Sequence, residues 1–207
     1  MPPKKQTRAD SKAKKTNQLR IIAGKWRSRR LHFPNTEGLR PTGNRIRETL
    51  FNWLNPSIPG ARCLDAFSGS GALGFEALSR GAEEVIFVEK DAQAFHALEN
   101  NRLALGATNA IIVNSDFFVW LQAQADRLAA DQTGRSKPFD IVFVDPPFIE
   151  NLHQQAVDAL LSANLLSPQA LIYVESPASQ PAPPPPGWRR VREKCSAGVH
   201  YQLLCRD

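Results

Sequence analysis

Asp145-Pro146-Pro147-Phe148 closes an apolar run, Phe139 to Val144, that reads as a buried strand. A carboxylate, two prolines and an aromatic ring at a strand end suit one chemistry well. They can hold a flat, amine-bearing ring and present its nitrogen to an electrophile. The Asp145 carboxylate and the Pro146 carbonyl can accept from an exocyclic NH2 while Phe148 stacks on the ring. Proline fixes φ and removes a backbone donor, so the acceptors stay in place and nothing local competes for them. With Pro near 5% of residues, composition alone yields this tetrapeptide in well under ~1% of chains this long. The bland alternative is a proline turn after a strand.

A glycine turn precedes it in the chain. Gly69-Ser70-Gly71-Ala72-Leu73-Gly74 lies between a strand read at Cys63 to Phe67 and a helix read from Ala72 to Ser79. That is the context a dinucleotide fingerprint requires: glycines let the backbone approach a ligand, and a helix N-terminus lies beside it. The motif alone is weak, and the carboxylates around it decide more. Glu89 follows Gly71 by 18 residues and ends the next strand, where it can accept both hydroxyls of a ribose. Asp65 sits four residues before Gly69, a poor neighbour for a pyrophosphate but a good one for an ammonium or a sulfonium. Asp116, just past the third strand, can accept from an adenine amine. Phe67, Ser68, Ser70 and Lys90 complete the candidate cofactor set. Three carboxylates ending three successive strands read as S-adenosylmethionine rather than a nicotinamide dinucleotide.

The elements that must position these groups alternate strand and helix from Ala61 onward, which implies a mostly parallel sheet covered on both faces. Strands are read at Cys63–Phe67, Val85–Val88, Ala110–Val113, Phe139–Val144 and Ala170–Val174. Helices are read at Ala72–Ser79, Ala92–Leu105, Phe117–Ala130 and His153–Ala163. A proline-rich bridge, Pro177 to Gly187, reads as a stiff surface connector before a closing antiparallel hairpin, Trp188–Lys194 with Val199–Cys205. Upstream, Leu19–Ile22 and Lys25–Leu31 read as a small hairpin around Gly24, with guanidinium groups and Trp26 on its surface. A helix then follows, capped by Thr42 or Asn44 and running to about Leu54. Residues 1–18 read as a disordered basic tail. Three segments result: the tail 1–18, a hairpin-and-helix extension 19–56, and an α/β body 57–207.

Charge is divided unevenly between them. Residues 1–47 carry 14 Lys/Arg against Asp10 and Glu37, while the remaining 12 Lys/Arg face 18 acids. A basic arm on an acidic body implies a polyanion partner engaged from the N-terminal side. No apolar run approaches the ~18 residues of a membrane span, and no secretory leader is evident. Cys63, Cys195 and Cys205 have neither metal-ligand nor disulfide-framework spacing, and the four histidines are scattered. The reading is a cytoplasmic monomer with no metal.

The glycine turn on the first strand and Asp-Pro-Pro-Phe on the fourth are ordered as in Rossmann-like methyltransferases acting on exocyclic amines. Within them the chain resembles the bacterial 16S rRNA (guanine(966)-N(2))-methyltransferase family. The resemblance rests on 20–27 (Arg-Ile-Ile-Ala-Gly-Lys-Trp-Arg), on 39–42 (Leu-Arg-Pro-Thr) running into 45–54, on 64–71, on 141–148 and on Tyr173-Val174-Glu175. It spans roughly Leu19 to Arg206. It implies an α/β fold with a seven-stranded, mostly parallel sheet and a reversed last strand. It also implies S-adenosylmethionine as donor and one guanine of 16S rRNA, in the small ribosomal subunit or its precursor, as acceptor. Lys25, Arg27, Arg29, Arg30, Arg40, Arg45 and Arg47 would then hold phosphates, and Thr42 would reach the cofactor edge. Rival readings are a DNA adenine-N6 or protein glutamine-N5 methyltransferase, a nicotinamide-dependent reductase and a non-catalytic RNA-binding protein.

Overall fold

Strands in the middle of a parallel sheet are buried on both faces, which explains unbroken apolar runs such as Ile141-Val142-Phe143-Val144. The computed structural model describes residues 16–35, 42–131 and 137–207. Its elements begin with β1 (Thr16–Arg20), β2 (Arg30–Pro34), α1 (Asn44–Leu54), β3 (Arg62–Asp65), α2 (Ala72–Ser79), β4 (Glu84–Glu89) and α3 (Ala92–Leu105). There follow β5 (Ala110–Asn114), α4 (Phe117–Ala130), β6 (Phe139–Val144), α5 (His153–Ser162), β7 (Leu166–Pro177), β8 (Trp188–Ser196) and β9 (Val199–Arg206).

Among the described residues the main sheet has seven strands in the order β5-β4-β3-β6-β7-β9-β8. Only β9 is reversed; it inserts antiparallel between β7 and β8. The sequence expectation of a mostly parallel sheet with a reversed last strand is met. Alternate strand residues feed two cores. Cys63, Phe87, Ile141 and Phe143 face α1, α2 and α3, whereas Leu64, Ile86, Val88 and Val142 face α4 and α5. From β3 the chain winds outward through β4 and β5, then returns to β6 on the other side of β3. That reversal opens a crevice at the C-terminal ends of β3 and β6, where open α/β sheets bind ligands.

The N-terminal segment departs from its sequence reading. Its strands lie at Thr16–Arg20 and Arg30–Pro34, and 21–29 form the turn between them. The reason is where the backbone of this turn finds partners. Ile22 and Ala23 donate their N–H groups to the Glu76 carboxylate at 2.7 and 3.0 Å. Lys25 N–H donates to the Ser79 carbonyl at 2.7 Å, and Trp26 N–H to the Ser79 hydroxyl at 2.9 Å. Helix α2 thus takes the hydrogen bonds that a hairpin would have used. Gly24, at φ +81°, passes so close to Ser79 that any side chain would strike its carbonyl. Trp26, expected on the surface, is 6% exposed and belongs to the core.

Arg47 is corrected in the same way. It is 1% exposed, donates to the Arg20 carbonyl at 3.0 Å and to Asn44 Oδ1 at 2.6 Å, and lies 3.7 Å from Glu76. It is a buried strut and cannot meet a phosphate. Neither expected side chain caps α1: its N-cap is Gly43, with no side-chain hydrogen bond. The strand Cys63–Phe67 stops at Asp65, and the fifth strand of the body runs longer than read, Leu166–Pro177. The proline bridge is pinned rather than purely superficial. Ala182 is buried, its N–H meets Ser176 Oγ at 3.2 Å, and its carbonyl accepts from Gln202 at 2.7 Å. The tail expected at 1–18 lies outside the described residues up to residue 15, and the last part of it enters β1.

Glu76 also pairs with Arg80 at 2.7 Å, so one fully buried carboxylate serves two backbone donors and a guanidinium. Removing it strands all three. Glu76→Ala is expected to cost about 3–5 kcal/mol of unfolding free energy in urea titration. Glu99→Ala, which breaks a solvent-facing pair with Arg102, is expected to cost under about 1 kcal/mol. Equal effects from the two variants would refute the clamp.

Candidate active site

Parallel strands deliver their C-terminal residues to one edge, and here four of those residues are acids. Asp65 ends β3, Glu89 ends β4, Asp116 follows β5 and Asp145 follows β6. All four line one cleft of about 640 Å³, together with Thr42, Phe67, Ser68, Phe148 and Glu175. The cofactor and acceptor halves of the sequence reading therefore share a cavity.

The glycine turn forms one wall. Glu89 Oε2 accepts from Gly69 N–H at 2.7 Å and its Oε1 from Asp91 N–H at 2.8 Å. Asp65 Oδ2 accepts from Gly74 N–H at 2.9 Å, leaving Oδ1 without a hydrogen bond from any described residue. Gly71, at φ +75°, is the left-handed N-cap of α2. Gly74 presses α2 onto β4, where a side chain would collide with the Phe87 ring. Those two glycines serve a turn and a helix–strand contact, two of the roles the fingerprint assigns to glycine. Phe67 packs its ring 4.9 Å from Phe117 at the cleft wall.

Electrostatically the cleft is short of cations. Burial pushes the Asp65 carboxyl up to about 7, against the Gly74 hydrogen bond and with help from Asp145 and Glu89. Burial also raises Glu89 above the usual carboxylate range, opposed by the N–H groups of Asp91 and Gly69. Asp145 is pushed up to about 6 by burial, opposed by a 3.0 Å hydrogen bond from the Thr42 hydroxyl. A cationic ligand relieves such a site, because an opposite charge favours the ionised carboxylates. The methionine ammonium and sulfonium of S-adenosylmethionine fit that requirement, and Asp65 and Glu89 are the carboxylates bonded to the glycine turn.

Three predicted residues line the cleft and also have protein partners there. The Asp116 Oδ1 caps α4 by accepting from Phe118 and Val119. Lys90 donates to Glu150, at 2.8 and 2.9 Å. The Thr42 hydroxyl donates to Asp145 at 3.0 Å. On the acceptor side, the Pro146 carbonyl receives no hydrogen bond from any described residue, and Phe148 is 36% exposed at the start of a 3-10 turn. The structure adds Glu175, whose Oε1 accepts from the Tyr173 hydroxyl at 2.7 Å. Sequence reasoning counted it in the segment Tyr173-Val174-Glu175 without giving it a role; it lies on β7, the strand beside that of Asp145.

With this geometry in hand, the chain can be set beside known proteins. Residues 19–205 match the family model described as "Conserved hypothetical protein 95". The chain is 46% identical over 188 residues to ribosomal RNA small subunit methyltransferase D of Haemophilus influenzae, covering 90% of this chain and 93% of that protein. It belongs to that methyltransferase family. The solved structure of yhhF from Escherichia coli is 42% identical, with a TM-score of 0.79 over 92% of this chain and 99% of that one. SMU.776, a structure in complex with SAH, shares the fold at TM-score 0.67 and 15% identity, over 94% of this chain and 57% of that one. The family's fold is thus a Rossmann-like methyltransferase fold. Among the described residues no group of side chains could hold a metal ion, and no helix is long and apolar enough to cross a membrane.

An ionised Asp65 attracts a cation where a neutral one does not, and burial pushes its carboxyl up to about 7. Affinity for S-adenosylmethionine is therefore expected to strengthen as pH rises from about 6 to 7.5, with up to one proton released per ligand bound. Calorimetry in buffers of different ionisation enthalpy reads that proton directly. Asp65→Asn should weaken binding and abolish the release; an unchanged release in this variant would move the titrating group elsewhere.

Proposed function

We propose that this protein transfers a methyl group from S-adenosylmethionine to the exocyclic N2 amine of guanine 966 in 16S rRNA, in the course of small-subunit assembly. The coarser statement, that it is an S-adenosylmethionine-dependent ribosomal RNA methyltransferase, follows from its family. Transfer to an exocyclic amine is supported by the juxtaposition of Asp145-Pro146-Pro147-Phe148 with the glycine turn in one cleft, and the choice of guanine 966 rests on the family resemblance.

The bound donor supplies an electrophilic methyl group on a sulfonium. This chain's residues prepare the nucleophile. The N2 lone pair of guanine is delocalised into the ring, so the amine is poorly nucleophilic. Hydrogen bonds from its two hydrogens to the Asp145 carboxylate and the Pro146 carbonyl favour a pyramidal nitrogen with its lone pair free. Catalysis is then mostly orientation, with the Asp145 charge stabilising the aminium that develops. As the N–C bond forms, the C–S bond breaks with its electrons passing to sulfur, and the aminium afterwards loses a proton. Phe148 offers its exposed ring to the base, a contact of about 1–3 kcal/mol by analogy with single-strand stacking. The base must leave its stack to enter the cleft, which costs least for a loop nucleotide.

Phosphate contacts fall to the N-terminal side. Lys25, Arg27, Arg29, Arg30 and Arg45 are exposed, and Arg40 lies outside the described residues. Arg20, which sequence reasoning passed over, pairs across the β1–β2 ladder with Arg30. Both border a hollow of about 560 Å³ that shares Thr42 and Gly43 with the methyl-transfer cleft. A strand held by these arginines would lead its base toward Asp145.

Methyl-labelled S-adenosylmethionine, small-subunit particles lacking the modification, naked rRNA and duplex DNA decide the substrate. Label on a single guanine N2 of rRNA is expected, with Asp145→Ala slower by at least about 100-fold. Label on DNA or on a protein amide instead would remove the proposed acceptor. Arg20→Ala combined with Arg30→Ala should weaken rRNA binding and lower its log–log salt slope by about 1.4, two single-strand phosphates' worth. Cofactor affinity should not change.

A further inference from the structure

Asp145 does not stand alone in its corner of the cleft. β6 and β7 pair in register with Val144 opposite Val174, so Asp145, just past β6, lies beside Glu175 of β7, and both line the cleft. Glu175 is 3% exposed. The Tyr173 hydroxyl donates to its Oε1 at 2.7 Å, and the Thr42 hydroxyl donates to Asp145 Oδ2 at 3.0 Å. The other titratable groups facing this corner are Asp65 from β3, with Glu89 behind it, and Tyr201 from β9, whose hydroxyl is buried without a partner. None is a cation, and among the described residues no Lys, Arg or His pairs with either carboxyl. Two adjacent carboxyl groups in such a place cannot both ionise, and one keeps a proton.

Burial says which one. Each carboxyl accepts from one hydroxyl, Asp145 from Thr42 and Glu175 from Tyr173. Glu175 is buried whereas Asp145 is partly exposed at the cleft, so desolvation falls harder on a charge at Glu175. We propose that Glu175 is a positioning residue that carries the proton of the pair, leaving Asp145 ionised and aligned by Thr42 to accept from the substrate amine. Burial and the neighbouring Asp145 both drive Glu175 well above the usual carboxylate range, against the Tyr173 hydrogen bond. The arrangement keeps one negative charge, not two, where the base must enter. It also fixes that charge on the carboxylate whose strand end carries Phe148. This assignment deepens the proposed methyl transfer and rests on it for its meaning, though not for its test.

Infrared difference spectra at neutral pH read the proton without any substrate. Subtracting the Glu175→Gln spectrum from that of the unaltered protein should leave the carbonyl stretch of a carboxylic acid. A carboxylate stretch in its place would overturn the proposal. In methyl transfer, Glu175→Ala should lower kcat by at least about tenfold, with S-adenosylmethionine affinity and the KM for rRNA within about twofold. Glu175→Gln, which keeps a donor at the same place, should recover most of that loss. A Gln variant as slow as the Ala variant would mean that the proton is not what Glu175 contributes. Thr42→Val removes the hydrogen bond that favours ionised Asp145, so the acid limb of kcat should move to higher pH; a limb that stays put also counts against the relay. An unaltered protein that shows the acid band yet methylates no rRNA would sink the substrate and leave this inference standing.

Discussion

Much of this molecule hangs on the Glu76 carboxylate. It sits wholly inside the protein and would be prohibitively costly there were it not surrounded by donors. Two backbone N–H groups of the N-terminal turn and the Arg80 guanidinium supply them, with Arg47 close by. Helix α2 begins at the glycine turn, so its register carries both the cofactor wall and the anchor for the N-terminal segment. Because Arg47 in turn holds the Arg20 carbonyl, α1 is tied to the same point. The outcome at the cleft is that Thr42, just ahead of α1, meets Asp145 across 103 residues of chain. A side chain far from the reaction thereby sets where the acceptor site is assembled.

The cleft and the surface around it have opposite electrostatic characters. Inside, Asp65, Glu89, Asp145 and Glu175 crowd together, and their shared burial raises their affinity for protons. A cationic ligand relieves that crowding, and a sulfonium is such a cation. Outside, the arginines of β1, β2 and the intervening turn present the charge that a phosphate backbone seeks. Separation of the two is what lets a polyanion approach without being repelled at the point of chemistry. The Lys90–Glu150 bridge joins the strand end that carries Glu89 to the turn that carries Phe148.

Most of the body could be read from periodicity and punctuation. The helices over 72–79, 92–105 and 117–130 and the strand over 139–144 stand where their apolar runs and caps place them, because those signals are local. Asp145-Pro146-Pro147-Phe148 and the glycine turn were legible for the same reason: each is contiguous, and its chemistry depends on neighbours in the chain. Errors gathered where a partner lies far away. Trp26 and Arg47 look like surface residues in a basic segment, yet both are buried, since the donors and acceptors that receive them belong to α2 and to β1.

By itself, then, the order of residues determined the alternating α/β body, the strand ends that carry Asp65, Glu89 and Asp145, and the basic character of the N-terminal arm. Each follows from hydrophobic period, turn chemistry and charge count, which need no knowledge of what packs against what. Only the tertiary structure decided that Glu175 stands beside Asp145, that Thr42 donates to Asp145, and which arginines stay at the surface. Those facts depend on strand order, on β-ladder register and on where one buried carboxylate finds its donors. A parallel sheet with crossover connections brings together residues tens of positions apart, and no local signal in the chain records which pairs will meet.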